Sequence, residues 1–192
     1  MANEMNSYVA ISSEKAEVFY RLKEIFKSGD NHLIDAVEII NNLEGTNYSS
    51  NKGIAPESSP PFNIWESVIG PKWMRVDFNS DAKSDEIILI INSANWVPVN
   101  FLKRLRNELS ILDKAFYLYG TYMDESYDPS GAFIYGEHDY ETMEDLDEAF
   151  NWEKNEKDDL YLECWHDKLL GLRDELIREY NDFKCNELGL SH

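Results

Sequence analysis

The sequence has few of the residues that redox, cofactor-binding or membrane functions require. It has two cysteines, Cys164 and Cys185, which fall in one predicted helix and would lie roughly 31 Å apart along its axis. We predict free thiols, because a disulfide cannot bridge that distance. The longest apolar run, residues 87–91, is too short to span a bilayer, and the first residues lack the pattern of a secretion signal. These features predict a cytoplasmic protein.

Recognisable catalytic motifs are also missing. The sequence contains no phosphate-binding glycine loop, no nucleophile elbow and no His-Glu-x-x-His. His138, between Glu137 and Asp139, is the best candidate for a general base or metal ligand, but neighbouring residues on a strand point to opposite faces. We therefore predict no enzyme, no metal and no cofactor. A hydrolase with a carboxylate site assembled by folding is the third-ranked alternative.

Basic residues are scarce, above all in the last third of the chain. The whole chain holds 18 Lys and Arg against 37 Asp and Glu, a net charge of −19. Residues 121–192 hold 6 Lys and Arg against 21 Asp and Glu, so a net charge of −15 lies in this stretch. The same stretch is rich in aromatic residues, which disordered acidic tails usually lack. We interpret it as a folded acidic surface that repels nucleic acid and attracts basic partners.

The predicted partner-binding residues are the carboxylates of this stretch and one aromatic anchor. They are Asp124, Glu125, Asp128, Glu137, Asp139, Glu141, Glu144, Asp145, Asp147, Glu148, Trp152, Glu153, Asp158 and Asp159. A helix with a carboxylate every two or three residues approaches the charge density of one DNA strand, so such a surface would compete for a DNA-binding groove. The alternative interpretation is a charged face that only keeps the protein soluble.

The hydrophobic pattern predicts an α+β fold. Strands are expected at 8–12, 73–79, 86–91, 115–123 and 132–135, and helices after residue 13, over 33–43, from 98 to about 110, and over 158–184. Residues 44–62 read as a long irregular loop, and residues 141–152 as a short acidic helix or ordered loop. We predict an antiparallel sheet with helices on one face, plus a long amphipathic C-terminal helix. The expected domains are a sheet domain over 5–140 and an acidic helical extension over 141–192 packed on it.

Three short motifs carry a resemblance to a known family. They are Gly70-Pro-Lys-Trp73, Asn95-Trp-Val-Pro98, and the aromatic strand 116–122 followed by Glu125, Gly131, Ala132 and Phe133. Together they resemble the YubB-type ferredoxin-like family of plasmids and bacteriophages, over roughly residues 5–140. Val99 stands where that family has a second proline, and the C-terminal end has no counterpart in it. The resemblance implies a ferredoxin-like α+β fold carried by a mobile element in a bacterial host.

Charge and family context together suggest the leading hypothesis. It is a non-enzymatic inhibitor that blocks the basic, nucleic-acid-binding site of a host protein, such as a defence nuclease, in the manner of a DNA mimic. An immunity protein against a basic toxin is a second possibility of the same class. A different class, an accessory module for single-stranded nucleic acid, would use Trp73, Trp96, Arg75 and Arg104. The exposed side of the long helix also allows a homodimer.

Overall fold

Seven strands and four helices make up the part of the chain that the structure describes. The computed structural model describes residues 3–13, 15–26, 34–45, 70–71, 74–79, 87–125, 129–144 and 158–187. The strands are β1 (Glu4–Ser12), β2 (Ile34–Asp35), β3 (Met74–Asn79), β4 (Ile87–Ala94), β5 (Tyr117–Asp124), β6 (Ser130–Tyr135) and β7 (Asp139–Glu144). The helices are α1 (Ala16–Phe26), α2 (Ala36–Glu44), α3 (Val99–Ser110) and α4 (Asp158–Glu187).

The strands form one antiparallel sheet in the order β2-β3-β4-β1-β5-β6-β7. The central strand β1 pairs with β4 on one side and β5 on the other, so Val9 lies opposite both Leu89 and Gly120. The predicted α+β class is confirmed.

The main core lies between the sheet and helices α1, α2 and α3. Alternate residues of β1, such as Val9 and Ile11, point to this side and are buried. Apolar residues at helical spacing complete the core, so each of these helices buries one face. Phe26 of α1 stacks on Phe78 of β3 with their ring centroids 5.0 Å apart. A fully buried side chain of this kind contributes roughly 1.5–3 kcal/mol.

Helix α4 covers the opposite face of the sheet, over β5 and β6. Leu118 points into the main core, so Tyr117 points the other way, where its ring centroid is 5.1 Å from that of Tyr180. Leu169, Leu176 and Tyr180 of α4 are buried there. The helices α1 to α3 share one face as predicted, whereas α4 makes a third layer because β5 and β6 are apolar on both faces.

The prediction failed to include two strands. Residues 139–144 pair with β6 as β7, so residues 141–144 are strand where a helix or loop was expected. The short β2 pairs Ile34 with Val76. The predicted domain division between residues 140 and 141 lies inside β7, and it stays a prediction. Within the predicted loop 44–62, Glu44 ends α2 and residues 46–62 lie outside the described residues.

Candidate functional site

The structure removes Asp124 from the predicted acidic surface. Its side chain is 2% exposed and accepts a hydrogen bond from Asn3 Nδ2 at 3.2 Å. The backbone N–H of Asp124 donates to the carbonyl of Pro129 at 3.1 Å. Asp124 is the last residue of β5, and its carboxylate contacts Asn3 next to the N-terminal end of β1.

Three predicted carboxylates, Glu137, Asp139 and Glu141, are exposed around the start of β7. Asp139 Oδ2 lies 2.9 Å from Lys103 Nζ of α3, and Glu141 Oε1 accepts a hydrogen bond from Tyr135 Oη at 2.7 Å. Asp139 and Glu141 alternate with Tyr140, so both lie on the side of the sheet that carries α3. Both carboxylates are therefore already in contact with side chains of this chain, Asp139 with Lys103 and Glu141 with Tyr135.

Two tyrosines beside this pair have raised pKa values. Burial raises the pKa of Tyr122 to about 12, and the negative charge of Glu141 adds to the effect. Burial also raises the pKa of Tyr135, and its hydrogen bond to Glu141 adds to that shift. Tyr135 is thus held as a neutral hydroxyl donor to Glu141, while Tyr122 lies close enough for the charge of Glu141 to affect its pKa.

The predicted carboxylates that are described do not form one patch. Glu125 follows β5 at one end of the sheet, whereas Glu137 follows β6 at the other. The intervening β6 has six residues, which separates the two groups by about 17 Å. Asp128, Asp145, Asp147, Glu148, Trp152 and Glu153 lie outside the described residues. For Glu144, Asp158 and Asp159 only the backbone is described, on β7 and in the first turn of α4.

A line of carboxylates on the solvent side of α4 was missing from the prediction. Asp167, Glu179 and Asp182 are exposed and make no ion pair with any described residue. Asp174 and Glu175 lie between them along the helix and pair with Arg173 and Arg178. From Asp167 to Asp182 the helix rises about 22 Å. The sequence pattern could have indicated these residues, because they lie outside the apolar side of α4 that the helix buries.

Arg104, which the alternative nucleic-acid module would use, and the neighbouring cations of α3 contact groups of this chain. Arg104 forms an ion pair with Glu44, and Lys103 pairs with Asp139. Arg106 donates to the carbonyl of Gly136. These cations are therefore poorly available to phosphate groups.

Two other residues of the alternative nucleic-acid module are accessible to solvent. Arg75 is exposed on β3, and Trp96 is 67% exposed just beyond β4. The reason is local, because Asn95 turns the chain with a φ of 64° just after β4 and directs the next residue away from the sheet. Trp73 lies outside the described residues.

His138 is exposed, and its ring lies nearly perpendicular to that of Phe183 of α4, with ring centroids 4.6 Å apart. Among the described residues no three His, Cys, Asp or Glu side chains come close enough together to hold a metal ion. The helices in those ranges contain no stretch whose length and hydropathy would suit a bilayer crossing.

Comparison with known proteins identifies no relative: the chain matches no family model, no curated protein and no solved structure. The resemblance to the YubB-type family therefore stays a hypothesis based on the three short motifs.

Proposed function

We propose that this protein is a non-enzymatic binding protein whose acidic surface occupies a basic, nucleic-acid-binding site on another protein. One observation carries the proposal: the net charge of −19, of which −15 lies in residues 121–192. Such a field attracts basic partners and repels nucleic acid. Because a basic site built for phosphates has the complementary charge, it is the kind of site that this chain would enter.

The outer side of α4 supports the proposal. Asp167, Glu179 and Asp182 are exposed on a helix that packs against β5 and β6 through Leu169, Leu176 and Tyr180. A packed helix loses little further conformational entropy when a partner binds, so its charges are presented at low cost. Glu137 and Glu141 add negative charge near the start of β7, where Asp139 is paired with Lys103.

We further propose that residues 5–140 have the ferredoxin-like arrangement and belong to a plasmid- or phage-encoded protein acting in the bacterial cytoplasm. Strand order supports the first part: β3-β4-β1-β5, with α1 following β1 and α3 joining β4 to β5, is a βαββαβ order. In this setting the host partner would be a defence nuclease or another DNA-binding protein. An immunity protein against a basic toxin would act through the same surface.

The test is capture of partners from a bacterial lysate by the full chain, followed by elution with salt and with duplex DNA. The expected captured protein is basic, elutes as salt rises, and is released by DNA because both compete for one site. A Glu179→Gln/Asp182→Asn variant should bind that protein about three- to tenfold more weakly at low salt.

The matched control is Glu17→Gln/Glu38→Gln, which makes the same charge change at exposed positions of α1 and α2. It should change the affinity less than twofold. A captured partner that is insensitive to salt, to DNA and to both variants would refute the proposal.

A second candidate, a module for single-stranded nucleic acid, is favoured by the exposure of Trp96 and Arg75. Aromatic rings stack on bases, and an exposed arginine contacts phosphate. A gel-shift titration at low salt separates the two functions. Binding of single strands that Trp96→Ala and Arg75→Gln abolish would favour this module, and its absence favours the acidic inhibitor.

A further inference from the structure

We propose that the outer edge of β7 binds an extended, basic segment of the partner, which adds to the sheet as a further antiparallel strand. The inference rests on the proposed function and specifies how the acidic protein recognises its partner. The inference adds hydrogen bonds between the backbones of the two proteins, whereas the proposed function requires only attraction between their charged surfaces.

The first observation is the position of β7. It is the last strand in the sheet order, and among the described residues its six residues pair only with β6. An edge strand presents a row of backbone N–H and C=O groups along its outer side. A strand from another chain binds to such an edge through its own backbone groups. The neighbouring β6 is buried along its whole length, so β7 is held on a rigid support.

The second observation is that the chain already holds an ammonium group beside this edge. Lys103 Nζ lies 2.9 Å from Asp139 Oδ2 and 5.3 Å from the centroid of the Tyr135 ring. A carboxylate next to an aromatic face is a favourable site for a lysine or arginine side chain. Glu141, one step further along the same side of β7, lies about 7 Å from Asp139 and offers a second carboxylate. A strand with basic residues at alternate positions would match this spacing.

The charges also argue against a second copy of this chain as the added strand. Antiparallel pairing of two β7 strands about their centre would place Asp139 opposite Glu144 in both halves of the pair. Like charges directly opposite each other destabilise strand pairing. A basic strand experiences attraction at the same positions, so the edge selects a partner of opposite charge.

The test measures amide hydrogen exchange of the full chain with a defined probe, an eight-residue peptide of alternating arginine and threonine. Strand addition protects those β7 amides that point outward, so alternate amides within 139–144 should exchange at least about tenfold more slowly when the peptide is bound. The control peptide alternates arginine with proline. It has the same charge but lacks four backbone donors, and it should bind more weakly and protect none of these amides.

Variants give a second readout. Asp139→Asn/Glu141→Gln should weaken binding of the arginine–threonine peptide about tenfold, while Glu17→Gln/Glu38→Gln changes it less than twofold. Glutamine at 141 still accepts the hydrogen bond from Tyr135, so the fold is retained. Lys103→Gln removes the competing internal ammonium and should strengthen binding severalfold.

The outcomes separate this inference from the proposed function. Salt-dependent peptide binding with no protection in β7 overturns the inference and leaves the proposed function standing. Protection in β7 that rises with the concentration of the chain alone identifies a second copy as the occupant and also overturns the inference. Failure of both peptides to bind at low salt contradicts the proposed function as well.

Discussion

The contact between Gly136 and Tyr180 is expected to control how α4 docks on the sheet. A Cβ atom added at Gly136 would lie 2.1 Å from the Tyr180 hydroxyl oxygen and 2.6 Å from Cζ. The same hydroxyl accepts a hydrogen bond from the backbone N–H of Glu137 at 3.0 Å, and the tyrosine is fully buried. The ring cannot move away without losing this bond and its packing on Tyr117.

The magnitudes follow from these distances. Gly136→Ala overpacks a buried site and should reduce the free energy of unfolding by about 1–3 kcal/mol. Tyr180→Phe removes the acceptor for the Glu137 N–H and should cost about 1 kcal/mol. In the double variant the closest atom to the new methyl group is missing, so the combined loss should be smaller than the sum of the two by about 1 kcal/mol.

Urea denaturation followed by circular dichroism measures each free energy, and hydrogen exchange in α4 shows whether the loss is local to this helix. The melting temperature should fall about 2–4 °C per kcal/mol in a chain of this size. Gly171→Ala is the matched control, since a Cβ there meets nothing within 4 Å. It should stabilise α4 by up to about 1 kcal/mol. A neutral Gly136→Ala, or losses that add within about 0.5 kcal/mol, would show that α4 does not dock through this contact.

Three further predictions concern single positions elsewhere in the fold. Burial alone would raise the pKa of Asp113. The hydrogen bond that its carboxylate accepts from Ser13 Oγ at 2.7 Å, together with its other hydrogen bonds, outweighs the effect of burial and lowers the pKa. The Asp113 carboxylate therefore stabilises the fold at pH values above its unfolded pKa near 4, and this stabilisation is lost as pH falls through the folded pKa. Urea denaturation should show that the difference in free energy of unfolding between wild type and Asp113→Asn shrinks below about pH 4. Gly120→Ala places a Cβ 2.0 Å from the backbone carbonyl oxygen of Tyr8, which cannot move aside. The free energy of unfolding should fall by at least about 3 kcal/mol in urea denaturation, and a denaturation midpoint equal to that of wild type would contradict this. Trp96→Ala should leave stability within about 0.5 kcal/mol by the same assay, and a larger loss would mean that the ring is packed.

The strands and helices of the main core were predictable because their residues are apolar at regular spacing. Val18, Leu22 and Ile25 mark the buried side of α1, and the run 87–91 marks β4. Such patterns indicate local structure directly, since an apolar residue stabilises the fold only when it is buried.

The edge strand and the role of individual acidic residues were not predictable in the same way. Asp139 and Glu141 are residue types that are depleted in strands, and β7 forms because β6 offers a buried partner along its whole length. Asp124 has the same chemistry as Glu125, yet one is buried and the other exposed. That difference depends on which end of β5 meets Asn3, a contact between residues 121 positions apart.

The internal ion pairs change where this protein's charge acts without changing how much it has. Pairs such as Lys103 with Asp139 and Arg104 with Glu44 use one charge of each sign, so they leave the net charge of −19 unchanged. At physiological salt, charges act over about 8 Å, and a partner therefore responds to the carboxylates it approaches closely. Carboxylates that pair with no described residue, such as Glu179 and Asp182, should then contribute most to the rate of association, whereas Asp139, already paired, contributes only after Lys103 is displaced. Neutralising Glu179 and Asp182 should slow association and flatten its salt dependence, whereas Lys103→Gln, which leaves Asp139 without this ion pair, should speed association.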